Sequence, residues 1–320
     1  MPAIGPEFIQ LYQANDQQLR AELGAGLLAE PAFAAPKNFY DALGSRLFAA
    51  ICELPEYYPS RTEAAIFAAH LSEIAEVIGT GSTLIDLGAG NCAKAASLFA
   101  ALQPAQYVPV DISVDFLRAA VADLQPRYPH IQMTAVGMDF SSALPLPDAV
   151  LRHNRLFFYP GSSIGNFTPA EAGAFFRRLR AACDDNGGLL IGVDLIKDAA
   201  ILNAAYNDAL GVTASFNLNL LLHLNKLLGA DFDIGEWRHY SCYNPAQSRI
   251  EMYLEAKHAL TVRWSGGERR FGKGERIHTE NSYKYTPDNF VRLLQQSGFS
   301  VTGKWCDERN WFMVCHARVM

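Results

Sequence analysis

The chain has 320 residues, half of them hydrophobic, with 27 Lys and Arg against 33 Asp and Glu, a formal charge of −6 and a pI near 5.8. At roughly 100 to 200 residues per domain, this length predicts two domains or one heavily elaborated domain with a sizeable core. The basic residues are scattered rather than gathered, which argues against a nucleic-acid partner, because neutralising phosphates requires a basic face.

The chain begins MPAIGPEFIQ, without the basic region and apolar core of a signal peptide. From Phe8 to Ser60 the pattern is helical and amphipathic in places. A regular alternation follows: a strand at Thr83–Leu87, an Ala-rich helix from Cys92 to about Leu102, a strand at Tyr107–Val110 and a helix around Asp115–Leu124. Strands at Met133–Val136, Arg155–Tyr159 and Leu189–Asp194 come next, with a helix from Pro169 to Cys183 between the last two. Strands alternating with helices predict a parallel sheet covered on both faces.

At Lys197 the pattern breaks. Helices at Ala199–Leu210 and Leu218–Leu228 lead into alternating segments such as Ile250–Val262, which read as antiparallel strands of an insertion with its own hydrophobic face. The greasiest stretch, Leu218–Leu228, carries Asn219, His223, Asn225 and Lys226 and falls short of the about 18 apolar residues of a membrane span. Thr286-Pro-Asp then opens a helix ending at Gly298, and strands at Phe299–Trp305 and Trp311–Val319 complete the first sheet. Six cysteines without a CxxC pair and eight histidines without HExxH support neither a disulfide framework nor a metal site, and fit a reducing cytoplasm.

The strand Leu84-Ile85-Asp86-Leu87 runs into Gly88-Ala89-Gly90 and then a helix, an arrangement that lets a ligand approach backbone at the carboxyl end of a sheet. The spacing fits NAD as well as S-adenosylmethionine. Asp111, ending the second strand, serves the ribose hydroxyls of either cofactor, or caps the helix that follows it. Asp139-Phe140 after the third strand places a carboxylate for an adenine amino group and a ring to cover the base, which favours S-adenosylmethionine; Phe140 is equally suited to the core. Lys94 either reaches the cofactor carboxylate or is solvated. Tyr253-x-x-x-Lys257 imitates a dehydrogenase pair, but on a strand the two side chains are well separated.

These residues, together with Phe39-Tyr40-Asp41-Ala42-Leu43-Gly44-Ser45, Leu54-Pro55-Glu56-Tyr57-Tyr58-Pro59-Ser60-Arg61, Tyr159-Pro160-Gly161-Ser162-Ser163-Ile164-Gly165-Asn166-Phe167 and Ile277-His278-Thr279-Glu280-Asn281-Ser282, give the chain a resemblance to a specific family over nearly its whole length. It resembles the S-adenosylmethionine-dependent L-histidine Nα-methyltransferases that begin ergothioneine biosynthesis. The resemblance implies an α/β fold, a Rossmann-like class I methyltransferase domain (61–196 and 286–320) with an inserted α+β substrate-binding domain (1–60 and 197–285), the substrate being held between them. It implies that Asn166 and Tyr206 hold the histidine carboxylate, Glu280 and Ser282 read the imidazole, Tyr40 and Tyr57 surround the amine as the catalytic pair, and Gly161 sits where substrate meets cofactor. Met252, on the strand face of Ile250, either lines the imidazole pocket or belongs to the core.

Glu280 and Ser282 at i, i+2 on an extended segment point the same way, which suits a shared ligand. The implied reaction is successive methylation to the trimethylated betaine hercynine, in a monomer with no nucleic-acid or membrane partner. Two other readings stay open: a methyltransferase for another amino acid such as a tryptophan derivative, and a non-catalytic amino-acid-binding protein.

Overall fold

In a computed structural model of the chain, residues 5–11 and 16–320 are described. The chain divides into two compact units, one of Met1–Gln13, Pro59–Ile196 and Tyr285–Met320, the other of Ala14–Tyr58 and Lys197–Lys284.

The first unit is built on a sheet that, among the described residues, has eight strands in the order Glu7–Gln10, Gln132–Gly137, Gln106–Asp111, Thr83–Leu87, Arg155–Tyr159, Gly188–Asp194, Phe312–Val319, Phe299–Cys306. Counted from Thr83 in chain order, the last seven run 3-2-1-4-5-7-6, all neighbours parallel except the seventh, which is antiparallel to both its partners. Every residue of Thr83–Leu87 is buried, as expected for a central parallel strand with helices over both faces. Ile66 and Ile74 of the helix Tyr58–Ile78 and Leu117, Val121 and Leu124 of the helix Val114–Leu124 pack on Leu84, Tyr107, Met133, Leu156 and Leu190. The sheet order reverses on either side of Thr83–Leu87, so a crevice opens beyond its carboxyl end, the usual ligand position in such folds.

Three expectations are corrected. The Ala-rich segment forms two short helices, Ala93–Ala96 and Phe99–Leu102, because Ser97 Oγ donates to the Lys94 carbonyl (2.6 Å) and draws it away from the helical ladder. The helix after Lys197 stops at Ala205 rather than Leu210. The division at residue 60 is also revised. Glu7–Gln10 is a strand pairing in parallel with Gln132–Gly137, with Arg118 stacked 4.1 Å above the Phe8 ring, so it belongs to the first unit, while residues 1–4 and 12–15 of that stretch lie outside the described residues. Tyr285 joins the first unit as well, its amide donating to the Asp194 carbonyl at 3.1 Å.

The second unit is α+β. Its sheet runs Ala32–Phe33, Arg276–Tyr283, Arg249–Ala256, Trp237–Asn244, and a separate hairpin pairs Leu260–Trp264 with Gly267–Phe271. The helix Val212–Leu228 packs against Ala42–Cys52 and the sheet, and Asn219 donates to Asp41 at 2.9 Å. Asp41 also caps Ala42–Cys52 by accepting the Gly44 amide at 2.7 Å. A Cβ on Gly44 would lie 1.7 Å from the Phe39 carbonyl oxygen, so only glycine lets the chain turn this tightly into the helix.

Candidate active site

In the first unit the ends of three adjacent parallel strands converge. Thr83–Leu87 ends in Gly88 (φ 72°) and Gly90 (φ 53°), left-handed conformations that would strain any side chain. The Gly88 and Ala89 amides donate to the Val110 carbonyl at 2.9 and 3.1 Å, which folds the turn back over the neighbouring strand. Asp111, ending that strand, accepts the Gly90 amide on Oδ2 (3.0 Å) and the Ser113 amide on Oδ1 (2.8 Å). Each carboxylate oxygen keeps a further lone pair for a ligand hydroxyl.

Beyond the third strand, Asp139 accepts from the amide (3.0 Å) and hydroxyl of Ser141, and the half-buried Phe140 packs edge-on to Tyr159 at 5.8 Å. A Cβ on Gly88 would come within 3.9 Å of Phe140 Cζ, so the ring lies beside the glycine turn. Gly88, Gly90, Asp111, Asp139 and Phe140 are thus gathered at one end of the sheet.

Lys94 follows the turn, and its Nζ lies 2.6 Å from Glu63 Oε2. The other oxygen of Glu63 accepts the Gly161 amide at 2.7 Å. Glu63 itself is buried, with 1% of its surface exposed, so its carboxylate reaches both partners from the interior. Neither sequence reading of Lys94 included this partner. Asn166 ends the turn Ser163–Asn166, which is followed by a helix held at its start by Pro169 and by the reciprocal Thr168–Glu171 capping box. Asn166 and Gly161 therefore belong to the first unit.

Tyr40, Tyr57, Tyr206, Met252, Glu280 and Ser282 belong to the second unit. Glu280 and Ser282 lie on one strand with buried side chains, just past a bulge at His278, and Met252 stands opposite Glu280 on the neighbouring strand. Tyr206, capping the helix Ala199–Ala205, sends its hydroxyl to Ser282 Oγ at 2.8 Å, while its carbonyl accepts from His239 Nε2 (2.9 Å) and Ser241 Oγ (3.2 Å). Tyr57 meets Tyr206 edge-on at 6.3 Å. Tyr40 packs on Phe48 and Phe216 at 5.7 and 5.9 Å.

Lys284 also enters this cluster, 3% exposed, with Nζ 2.8 Å from Ser282 Oγ and 3.3 Å from the Tyr206 hydroxyl. Burial pushes the Glu280 carboxyl up to about 7, against the opposing pull of Lys284. Burial likewise raises the Tyr57 phenol well above its ordinary value, with further pushes from Tyr206, Cys52, Glu280 and Tyr40, so Tyr57 stays protonated at neutral pH. It can pass a proton along a hydrogen bond but does not start as a phenolate base.

Tyr253 and Lys257 have separate partners, the Glu251 carboxylate at 2.6 Å and the Gly235 carbonyl at 2.7 Å, which removes the dehydrogenase pair. No cluster of three or more His, Cys, Asp or Glu suited to a metal ion, and no helix long and apolar enough to cross a membrane, occurs among the described residues.

A glycine turn flanked by strand-end carboxylates, on a sheet ordered 3-2-1-4-5-7-6, defines a class I S-adenosylmethionine-dependent methyltransferase. The model of one family, described as histidine-specific and SAM-dependent methyltransferases, matches residues 19–319, and the chain belongs to that family, with S-adenosylmethionine as co-substrate. The chain is 41% identical over 302 residues to a histidine N-alpha-methyltransferase of Mycolicibacterium smegmatis, covering 92% of this chain and 93% of that protein. It is 38% identical over 305 residues to the protein of the same name in Mycobacterium tuberculosis, covering 93% and 94%. Ergothioneine biosynthesis protein 1 of Neurospora crassa is 31% identical over 276 residues, covering 83% of this chain and 31% of that longer protein.

Proposed function

We propose that the protein transfers methyl groups from S-adenosylmethionine to the α-amino group of L-histidine, successively to the trimethylated betaine, as the first step of ergothioneine biosynthesis. The observation that carries this reading is the pairing of Glu280 with Ser282 on one buried strand face, beside Tyr206, in a chain of the histidine-specific family. A neutral imidazole offers one N–H and one lone pair, and a carboxylate beside a hydroxyl satisfies both. A phenyl ring would leave both groups buried against carbon, and an indole, which has an N–H but no lone-pair nitrogen, would leave the Ser282 donor unmet, which disfavours a tryptophan-type substrate.

The co-substrate supplies an electrophilic methyl on a sulfonium, and the glycine turn, Asp111, Asp139 and Phe140 are the residues assigned to hold it. Displacement at that methyl needs no covalent enzyme intermediate, so the remaining residues position a neutral amine and exclude water. Tyr40 and Tyr57 are assigned to the amine: their ring faces stabilise the cationic product by about 0.5–2 kcal/mol, and a hydroxyl passes the released proton on. Asn166 is assigned to the carboxylate and Met252 to the wall beside the imidazole; Tyr206, which the resemblance also implied for the carboxylate, gives its single hydroxyl proton to Ser282 Oγ and is assigned to the imidazole end instead. The reading places the protein in the cytoplasm, where its cysteines stay as thiols.

Replacing Glu280 by Ala tests the assignment. Hydrogen bonds to charged groups contribute about 1.5–3 kcal/mol, so kcat/KM for histidine is expected to fall roughly tenfold to a few hundredfold, with cofactor affinity held. An unaltered preference for histidine over tryptophan and phenylalanine would mean that the imidazole is read elsewhere.

A further inference from the structure

Lys284 lies outside the set of residues implied by the sequence. A lysine with 3% of its surface exposed is unusual, and this one directs its ammonium at two hydroxyls, Ser282 Oγ at 2.8 Å and Tyr206 Oη at 3.3 Å, which are themselves 2.8 Å apart. An ammonium has three protons and no lone pair, so it only donates. Ser282 Oγ has two lone pairs and one proton. One lone pair faces Lys284 and the other receives the Tyr206 hydroxyl. The remaining Ser282 proton is therefore turned away from both partners.

We propose that Lys284 is a positioning residue for substrate recognition: it orders the hydrogen bonds in one direction, from Lys284 through Tyr206 to Ser282, so that Ser282 presents a donor to the unprotonated nitrogen of a neutral imidazole whose N–H is accepted by Glu280. The inference rests on the histidine reading above and deepens it. The buried ammonium of Lys284 also pulls against the burial that raises the Glu280 carboxyl, so this cluster already holds a positive charge. A cationic side chain such as that of lysine or arginine would meet the ammonium as a like charge, so the cluster selects against substrates that are otherwise long enough to reach it.

The test is a double-mutant cycle on the full chain, measuring kcat and KM for histidine with wild type, Lys284→Met, Ser282→Ala and the double variant. Each single change is expected to lower kcat/KM about tenfold or more, mainly through KM, and the double variant to be no worse than the weaker single variant within about twofold, because Lys284 acts through Ser282. S-adenosylmethionine affinity and melting temperature serve as controls for folding. Losses that multiply in the double variant would overturn the proposal.

A second arm needs no variant. β-(Pyrrol-2-yl)alanine keeps a ring N–H for Glu280 but lacks the lone-pair nitrogen, and wild type is expected to use it at least about tenfold less well than histidine. Equal use of the two would overturn the proposal even if Lys284→Met fails to fold. Wild type that leaves histidine unmethylated would instead contradict the functional reading on which the proposal stands.

Discussion

Lys94 and Glu63 form an ion pair in which the two ends differ sharply in burial: Nζ and Oε2 are 2.6 Å apart, with the lysine side chain 44% exposed and the glutamate 1%. The carboxylate joins the segment after the glycine turn to the amide of Gly161, so two loops that border the proposed cofactor site share one buried anchor. The space for that anchor comes from a third element. A Cβ on Gly192 would stand 2.0 Å from Glu63 Oε1 and 2.9 Å from the Phe312 ring.

Gly192→Ala is therefore expected to destabilise the protein by about 1–3 kcal/mol, since one added carbon forces a buried carboxylate out of place. It should weaken S-adenosylmethionine binding as well, as Glu63→Gln should, by loosening Lys94 and Gly161. Thermal unfolding and calorimetric titration check both effects, and a Gly192→Ala protein with wild-type stability and affinity would remove Glu63 from this role.

Asp111→Ala is expected to lower cofactor affinity by about 1–3 kcal/mol, the cost of an unmade hydrogen bond to a charged acceptor. Because Asp111 also accepts the Gly90 amide, Asp111→Asn, which keeps one carbonyl acceptor, should lose less. Titration of both folded variants decides; equal affinity in Asp111→Ala and wild type would take Asp111 out of the site.

Much of this site was legible because its determinants are local. A glycine turn, a strand-end aspartate and an i, i+2 pair on a strand are fixed by backbone conformation within a few residues. Glu63 was not, because a glutamate inside a helix resembles an ordinary solvated residue, and its burial depends on Gly192, far along the chain. Lys284 continues the alternation of Glu280 and Ser282, but lysine is so rarely buried that spacing alone does not place it on this face. The strand Glu7–Gln10 is only 4 residues long, too short to show a period, and its pairing with Gln132–Gly137 is set by tertiary contact alone.

Stability should respond to Asp86, which burial pushes up to about 7 although Tyr107 donates to it at 2.7 Å and pulls the other way. Between the ordinary carboxyl range and pH 7 the folded state keeps a proton that the unfolded state has lost, so stability falls as pH rises through this window. Asp86→Asn removes the charge and keeps an acceptor for Tyr107. Its melting temperature relative to wild type, measured without cofactor, should rise from pH 5 to pH 8, and a difference independent of pH would contradict the assignment.

The rate with histidine should carry the titration of Glu280. With its carboxyl near 7, the charged acceptor is lost as pH falls through that value, so kcat/KM for histidine should decline on the acid side with an apparent pKa near 7. In Glu280→Gln that limb should disappear and leave those of the substrate, its imidazole at about 6.5 and its α-amino group, which must be neutral to attack, at about 8. A wild-type profile identical to that of Glu280→Gln would show that Glu280 does not titrate in recognition.

The most direct test of the whole account is mass spectrometry of the wild-type protein incubated with S-adenosylmethionine and an equimolar pool of amino acids that includes histidine, tryptophan and phenylalanine. The account predicts that histidine alone gains up to three methyl masses, all on the α-nitrogen, with S-adenosylhomocysteine formed in matching amount. Methyl gain on tryptophan or phenylalanine in place of histidine, or no gain on any amino acid by a folded protein that binds the cofactor, would contradict it.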